Sequence, residues 1–162
     1  MTSVITDADV LLDITDGVAD LRFNRPESAN GMTVGLLRAF YDALMRCHRE
    51  PDLRALVISG NGKHFSGGGD VRDFAAHGEA LPAHLREVTS WLQVSVSAMV
   101  RLPAPVIVAV HGYAAGGGGF GLVCAADFVV AAESARFLPA ATDVGMAPDA
   151  GTTVTLSRLV GL

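Results

Sequence analysis

The stretch "VHGYAAGGGGFGLVCAAD", Val110 to Asp127, places four consecutive glycines between two apolar runs. Glycine at the end of a strand lets the backbone come close to another chain segment or to a ligand. The residues leading into it, "PAPVIVAVHG", form a β-branched apolar run behind two prolines and read as a buried strand. A second loop of the same kind, "SGGGD" at 66 to 70, follows another buried strand, expected over Leu53 to Ser59 in "LRALVISG". Two glycine-rich loops that each close a buried strand point to a layered fold with its special positions at the strand ends.

Working outward, "DVLLDITDGVADLRFNRP" predicts a hairpin of Val10–Ile14 and Val18–Phe23, with Asp16-Gly17 as the turn and Pro26 ending the ladder. Thr33 is a good N-cap for a helix carrying Leu36, Leu37, Phe40, Leu44 and Met45 on one side, and Pro51 stops it. A second helix is expected over about Pro82 to Arg101, with a stripe of Leu85, Val88, Leu92, Val96 and Met99. The connecting "FAAHGEALPAH" is small, polar and rich in breakers, and is expected to be mobile. Trp91 and the apolar side chains around it read as core. Strands alternating with helices imply an α/β layered core, and the absence of a long repeat or linker makes residues 1–162 one domain.

Composition narrows the function. Half of the 162 residues are hydrophobic and 18% are charged, enough for a core of single-domain size. The formal charge of −5, with no local Lys/Arg cluster, leaves no basic face for nucleic acid. No apolar run approaches the roughly 20 residues of a membrane helix, and "MTSVITDADV" does not resemble a secretory leader. The expected location is therefore cytoplasmic. Cys47 and Cys124 are far apart, without metal-ligand spacing, and read as buried thiols.

Gly116, Gly118 and Gly121 satisfy GxGxxG, the pattern of a dinucleotide site, but any run of four glycines with one more two residues later does so. The strand also ends several residues too early, and no acidic residue is clearly placed about 20 residues on. No GK[ST] follows either loop, which excludes a phosphate-binding P-loop. The segment "HFSGG" lacks the first glycine of the esterase GxSxG elbow.

The segments "NRPESANGMT", "LRALVISGNGKHFSGGGDVRDF", "LPAPVIVAVHGYAAGGGGFGLVCAADFVVAAESARF" and "GMAPDAGTTVTLSRLVG", in that order, resemble the successive signatures of the enoyl-CoA hydratase/isomerase (crotonase) family. The resemblance runs from about Val10 to Leu162. It implies an α/β fold, a crotonase-like spiral of repeated ββα units, assembled as a homotrimer or hexamer and acting on an acyl-CoA thioester. No separate cofactor is implied, since coenzyme A belongs to the substrate. In the family, further helical residues follow "LSRLVG", cover the active site and support trimer contacts. The chain is thus expected to be the N-terminal part of the longer family fold, with exposed apolar surface on a last helix from Thr153 to Leu162 and a tendency to associate.

The same resemblance gives the glycines a chemical reason. Chemistry next to a thioester pushes negative charge onto the thioester oxygen, which fixed N–H donors stabilise in a site shielded from water. One implied donor is Gly69, before Asp70. The other is the middle glycine of the second loop, at a helix start whose dipole favours an oxyanion. Counting from Gly112 gives Gly117 and counting back from Asp127 gives Gly118, because this chain carries one residue more than the family spacing. Gly118 is preferred, since the helix anchors the register better than the loop. Implied substrate contacts are Ser28, Asn30, Ser66, Gly68, Asp70 and Gly117, with Asp70 orienting the first loop. Arg25 and Lys63 are candidates for phosphate contact or for solvated surface charge.

For the proton, the residues depart from the family pattern. The two glutamates of a hydratase correspond to Gly121 and Ala141, neither of which holds a proton. The remaining acid is Asp149, at a position where isomerising relatives and a dehalogenating one carry an aspartate. One carboxylate suffices to take a proton from one carbon and return it to another if burial lifts its pKa. Asp149 is equally placed to cap a helix starting near Gly151. The implied activity is isomerase-type proton transfer by Asp149; the alternative is a non-catalytic acyl-CoA-binding or assembly subunit of the same fold. Asp127 and Asp143 read as solvated, and His64 and His111, beside the loops, as structural hydrogen bonders.

Overall fold

A computed structural model describes residues 3–6 and 9–161. The expected hairpin forms from β2 (Val10–Thr15) and β3 (Val18–Phe23), paired antiparallel from Val10↔Phe23 to Thr15↔Val18. The turn is tight enough to hold Asp16 and Gly17 at φ of 51° and 76°. An earlier strand, β1 (Ser3–Thr6), adds to the outer edge of β2. Beyond β3 the sheet continues in parallel through β4 (Ala55–Gly60), β5 (Val106–Val110) and β7 (Phe128–Ala131), in the order β1-β2-β3-β4-β5-β7. Leu21 faces Ile58, Ile58 faces Val108, and Val108 faces Val129 along the ladder.

Parallel neighbours need crossover connections, and helices supply them. α1 (Val34–His48) joins β3 to β4, begins at Thr33, whose hydroxyl accepts from the Leu36 N–H, and buries Leu36, Leu37, Phe40, Ala43, Leu44 and Cys47. Met45 packs against this core only partly buried. Phe23 meets the Phe40 ring at 5.2 Å and the Phe65 ring at 5.8 Å, so hairpin, helix and first glycine loop share one aromatic cluster. The second crossover is α2 (Val71–Ala76), one 3-10 turn at Gly78–Ala80 and α3 (Leu81–Val100), which packs on α1. The segment expected to be mobile is therefore mostly helical. Its order comes from the Asp70 carboxylate, which accepts from the N–H groups of Arg72 and Asp73 and starts α2.

After β5 the chain leaves the main sheet. β6 (Tyr113–Ala115) pairs with β8 (Arg136–Leu138) in a second, two-stranded parallel sheet. The glycine run Gly116–Phe120 is one π-helical turn, continued by α4 (Gly121–Ala125). Asp127, expected to be solvated, is exposed, yet its carboxylate accepts from the Val106 N–H at 2.8 Å and ties the start of β7 to β5. Asp143 is exposed as expected. α5 (Thr152–Val160) closes the described chain, and Leu162, the expected end of that helix, lies outside the described residues.

Candidate active site

Both glycine loops open onto one cleft of about 700 Å3, solvent space included. Gly67 and Gly69 line it from the first loop, and Gly116, Gly117 and Gly118 from the second. The loops are locked by short parallel bridges. Met32 donates to the Gly68 carbonyl at 2.7 Å and accepts from the Asp70 N–H at 3.1 Å, so the N–H of the intervening Gly69 is turned away from that partner. Ser66 is bridged to Ala114 in the same way, which joins the first loop to the strand feeding the second. Gly116 to Gly118 occupy the first helical turn, where N–H groups have no acceptor within the helix.

The glycines are required by space. A Cβ on Gly118 would lie 2.2 Å from the Met32 sulfur, and one on Gly117 would lie 1.6 Å from Asp149 Oδ1. The second figure shows that the Asp149 carboxylate rests against the glycine turn. Asp149 is the one ionisable side chain among the residues lining the cleft. Its Oδ1 is buried and makes no hydrogen bond among the described residues. Burial raises the carboxyl pKa above the ordinary aspartate value, its own backbone N–H opposing more weakly.

The capping alternative for Asp149 is resolved by the same geometry. The N-cap of α5 is Gly151, without a side-chain cap, and it is the Asp149 main-chain carbonyl that accepts from the N–H and hydroxyl of Thr152. Gly121, where the family resemblance implies a glutamate in a hydratase, is pressed against Ala150, and a Cβ would come within 2.4 Å of the Ala150 Cβ. A glutamate there would have to push α5 away. Ala141, at the second such position, is buried and lines the cleft.

The remaining expected contacts separate into two groups. Ser28 and Asp70, together with Gly31 and Arg72, which were not among the expected contacts, line a shallower groove that shares Gly67, Gly69 and Val71 with the cleft. Asn30, Ser66 and Gly68 line neither. Asn30 is fully buried; its amide donates to the carbonyls of Asn61, His64 and Phe65 and its oxygen accepts from the Arg25 N–H. The Ser66 hydroxyl donates to the Asn30 carbonyl and accepts from the Gly68 N–H. These side chains build the loop from behind. Arg25 is likewise committed, 3.2 Å from Asp70 and 3.8 Å from Asp9, while its guanidinium also donates to the Gly31 carbonyl. His64 accepts from the Tyr113 N–H and His111 bonds the Gly62 carbonyl, as structural roles require. Cys47 and Cys124 are free and buried, and burial pushes the Cys47 thiol up to about 11.

The cleft walls were not singled out from sequence. Phe74, Leu85, Val88 and Leu92 line it, yet the α3 residues belong to a stripe indistinguishable by period from core. Val88 and Leu92 belong to the core and line the cleft at once, and Leu85 lines it as a partly exposed side chain. Trp91 is partly buried instead, edge-on to Tyr41 at 5.9 Å with the Arg38 guanidinium 5.1 Å above its ring.

A sheet whose parallel strands end in two glycine turns, facing one apolar cleft with one half-buried acid, defines an α/β protein of the crotonase type. The chain belongs to the enoyl-CoA hydratase/isomerase family, whose profile matches residues 13–162. It is 41% identical over 150 residues to the protein named "Probable enoyl-CoA hydratase" of Rhodobacter capsulatus, covering 93% of this chain and 56% of that one. It is 33% identical to the trans-2-decenoyl-[acyl-carrier-protein] isomerase of Streptococcus mutans, covering 95% and 59% of the two chains. With the 4-chlorobenzoyl coenzyme A dehalogenase-2 of an Arthrobacter species the identity is 32%, over 96% of this chain and 56% of that protein. The crystal structure of an enoyl-CoA hydratase from Mycobacterium avium subsp. paratuberculosis superposes with a TM-score of 0.86 at 30% identity, over 98% of this chain and 61% of that one. The chain therefore spans well under two thirds of the length of these relatives.

Proposed function

We propose that the chain carries the thioester-activating half of an acyl-CoA enzyme and performs isomerase-type proton transfer rather than hydration. The N–H groups of Gly69 and Gly118 serve as oxyanion donors, with Gly117 packing against the acid, and Asp149 moves the proton between carbons. The observation that carries this reading is the half-buried Asp149 carboxylate, whose Oδ1 is buried without a hydrogen-bond partner among the described residues in the cleft that both glycine turns line. A carboxyl with a raised pKa is the better proton donor near neutral pH, and the return step needs a donor. That the relatives' names cover a hydratase, an isomerase and a dehalogenase fits a common oxyanion site combined with variable acids. The shallower groove at Ser28, Gly31, Asp70 and Arg72 is assigned to the coenzyme A portion of the substrate.

Association belongs to the same reading. Phe128, Val130, Leu159 and Val160 are all at least 60% exposed on β7 and α5, apolar surface suited to burial between copies of the chain. A homotrimer or hexamer would cover it.

The test compares a 3-enoyl-CoA and a 2-enoyl-CoA with the purified chain. Double-bond migration in the first with little hydration of the second is expected, and Asp149→Asn is expected to lower the isomerisation rate by at least about a hundredfold. Hydration that survives Asp149→Asn would show that another group carries the proton.

A further inference from the structure

On the helical connector that carries part of the cleft wall, three metal-ligating side chains that do not line the cleft converge. We propose that Asp73, His77 and His84 form a site for a divalent transition-metal cation that clips α2 to the start of α3. One ligand atom from each residue lies within 4.8 Å of the other two, and all three residues are half-buried. Asp73 lies in α2, His77 follows one turn later as its C-cap, and His84 sits in the first turn of α3. Gly78, at φ of 49°, turns the chain between them so that the two rings stack at 3.5 Å with 9° between their planes.

The hydrogen bonds prepare the donors. His77 Nδ1 lies 2.7 Å from the Asp73 main-chain carbonyl, and since a carbonyl only accepts, this nitrogen carries the proton and Nε2 presents its lone pair. Asp73 Oδ2 and His84 Nε2 are 2.6 Å apart and already share one proton. Moving that proton to Nδ1, the other imidazole tautomer, frees Nε2 and the carboxylate oxygen together, with no change in net charge. Zinc bonds of about 2.0–2.2 Å put tetrahedral ligand atoms roughly 3.3–3.5 Å apart. Reaching that spacing also requires the two rings to tilt out of their stack, because each ring-nitrogen lone pair lies in its own ring plane, and the side chains are only half-buried. Two imidazoles and one carboxylate suit zinc and its neighbours rather than calcium or magnesium, which take oxygen ligands. The remaining coordination positions would hold water.

The site also has a place in the architecture. Phe74, next to Asp73, and Leu85, next to His84, both line the cleft, and the Phe74 ring lies 6.1 Å from the His84 ring. Among the described residues no side chain caps the start of α3. A cation here would hold the wall on which Phe74 and Leu85 stand.

Zinc titration of the purified chain by calorimetry tests the proposal. One-to-one saturable binding is expected, weakened at least about a hundredfold in His77→Ala and in His84→Ala, beyond the range for losing a merely orienting partner. His111→Ala, on the opposite glycine loop, is expected to bind as wild type does. In wild type, zinc is expected to shift the ring-proton resonances of two of the five histidines and to slow amide exchange across residues 71–88. This measurement needs no variant to fold. Absence of saturable binding, binding unchanged in the His77→Ala/His84→Ala double variant, or zinc shifts spread over the other histidines would overturn the assignment.

Discussion

Replacing Asp149 by asparagine separates a working carboxylate from a structural one through stability alone. Its pKa is raised in the folded chain by burial, so folding favours the neutral form. The sign follows: an acid with a raised native pKa costs stability once it is ionised. That cost is absent below the unfolded value of 3.8, grows as pH rises towards the raised native value, and is fully present above it. Asparagine keeps the shape against Gly117 and never ionises. Leaving a buried acceptor unsatisfied costs roughly 1–3 kcal/mol, more for a charged group, and the amide recovers the charged part of this. With one oxygen shut off from solvent and the side chain half-buried, a gain of about 1 kcal/mol at pH 7 is a reasonable magnitude. For a domain of this size that corresponds to a Tm higher by about 2–4 °C. The assay is thermal unfolding of both proteins from pH 3 to pH 8, the difference closing as pH falls through the acid range. A variant less stable than the parent at pH 7 would refute the argument, since the carboxylate would then be holding structure together.

Gly117→Ala is expected to depress isomerisation to an extent comparable with Asp149→Asn, because its Cβ claims the space of Asp149 Oδ1; turnover of a 3-enoyl-CoA checks this. Asn30→Ala removes the donor shared by the Asn61, His64 and Phe65 carbonyls and the acceptor of the Arg25 N–H, and is expected to cost about 3 kcal/mol in urea unfolding. Val130→Lys combined with Val160→Lys is expected to shift the chain towards monomer in light scattering at micromolar concentration, leaving the unfolding midpoint almost unchanged.

Elements with a strong period were legible before any coordinates. The hairpin, α1 and α3 carry stripes that bury the predicted side chains except Met45 and Leu85, which are partly buried, with boundaries moved by a residue or two; β4 begins at Ala55 rather than Leu53. β6 and β8, three residues each, are too short to show a period and went unread. α2 went unread for another reason, since none of its six residues is buried and its one clear signal, the Asp70 cap, was absorbed into the account of the loop. The role of Asp149 was open because sequence does not reveal where a carboxylate faces. Ala150 and Gly151 both take positive φ, 51° and 75°, and that double left-handed turn separates the side chain from the helix it would otherwise cap. Glycine announces such a backbone; alanine does not.

The π-helical turn at Gly116–Phe120 is the place where the one extra residue that the family resemblance implies would be taken up. A wider turn holds one residue more than an α-helical one before the path resumes, so the surplus is consumed where it arises and Gly121–Ala125 runs on as a regular helix. Such a length change would be hidden from β7, and the amides of Gly116 to Gly118 would bear the adjustment. Each α-helical residue turns the chain by about 100°, so removing a single glycine here would re-aim those amides without displacing the helix behind them. An insertion of one residue at such a turn is in this way a means of steering backbone hydrogen-bond donors without altering any side chain.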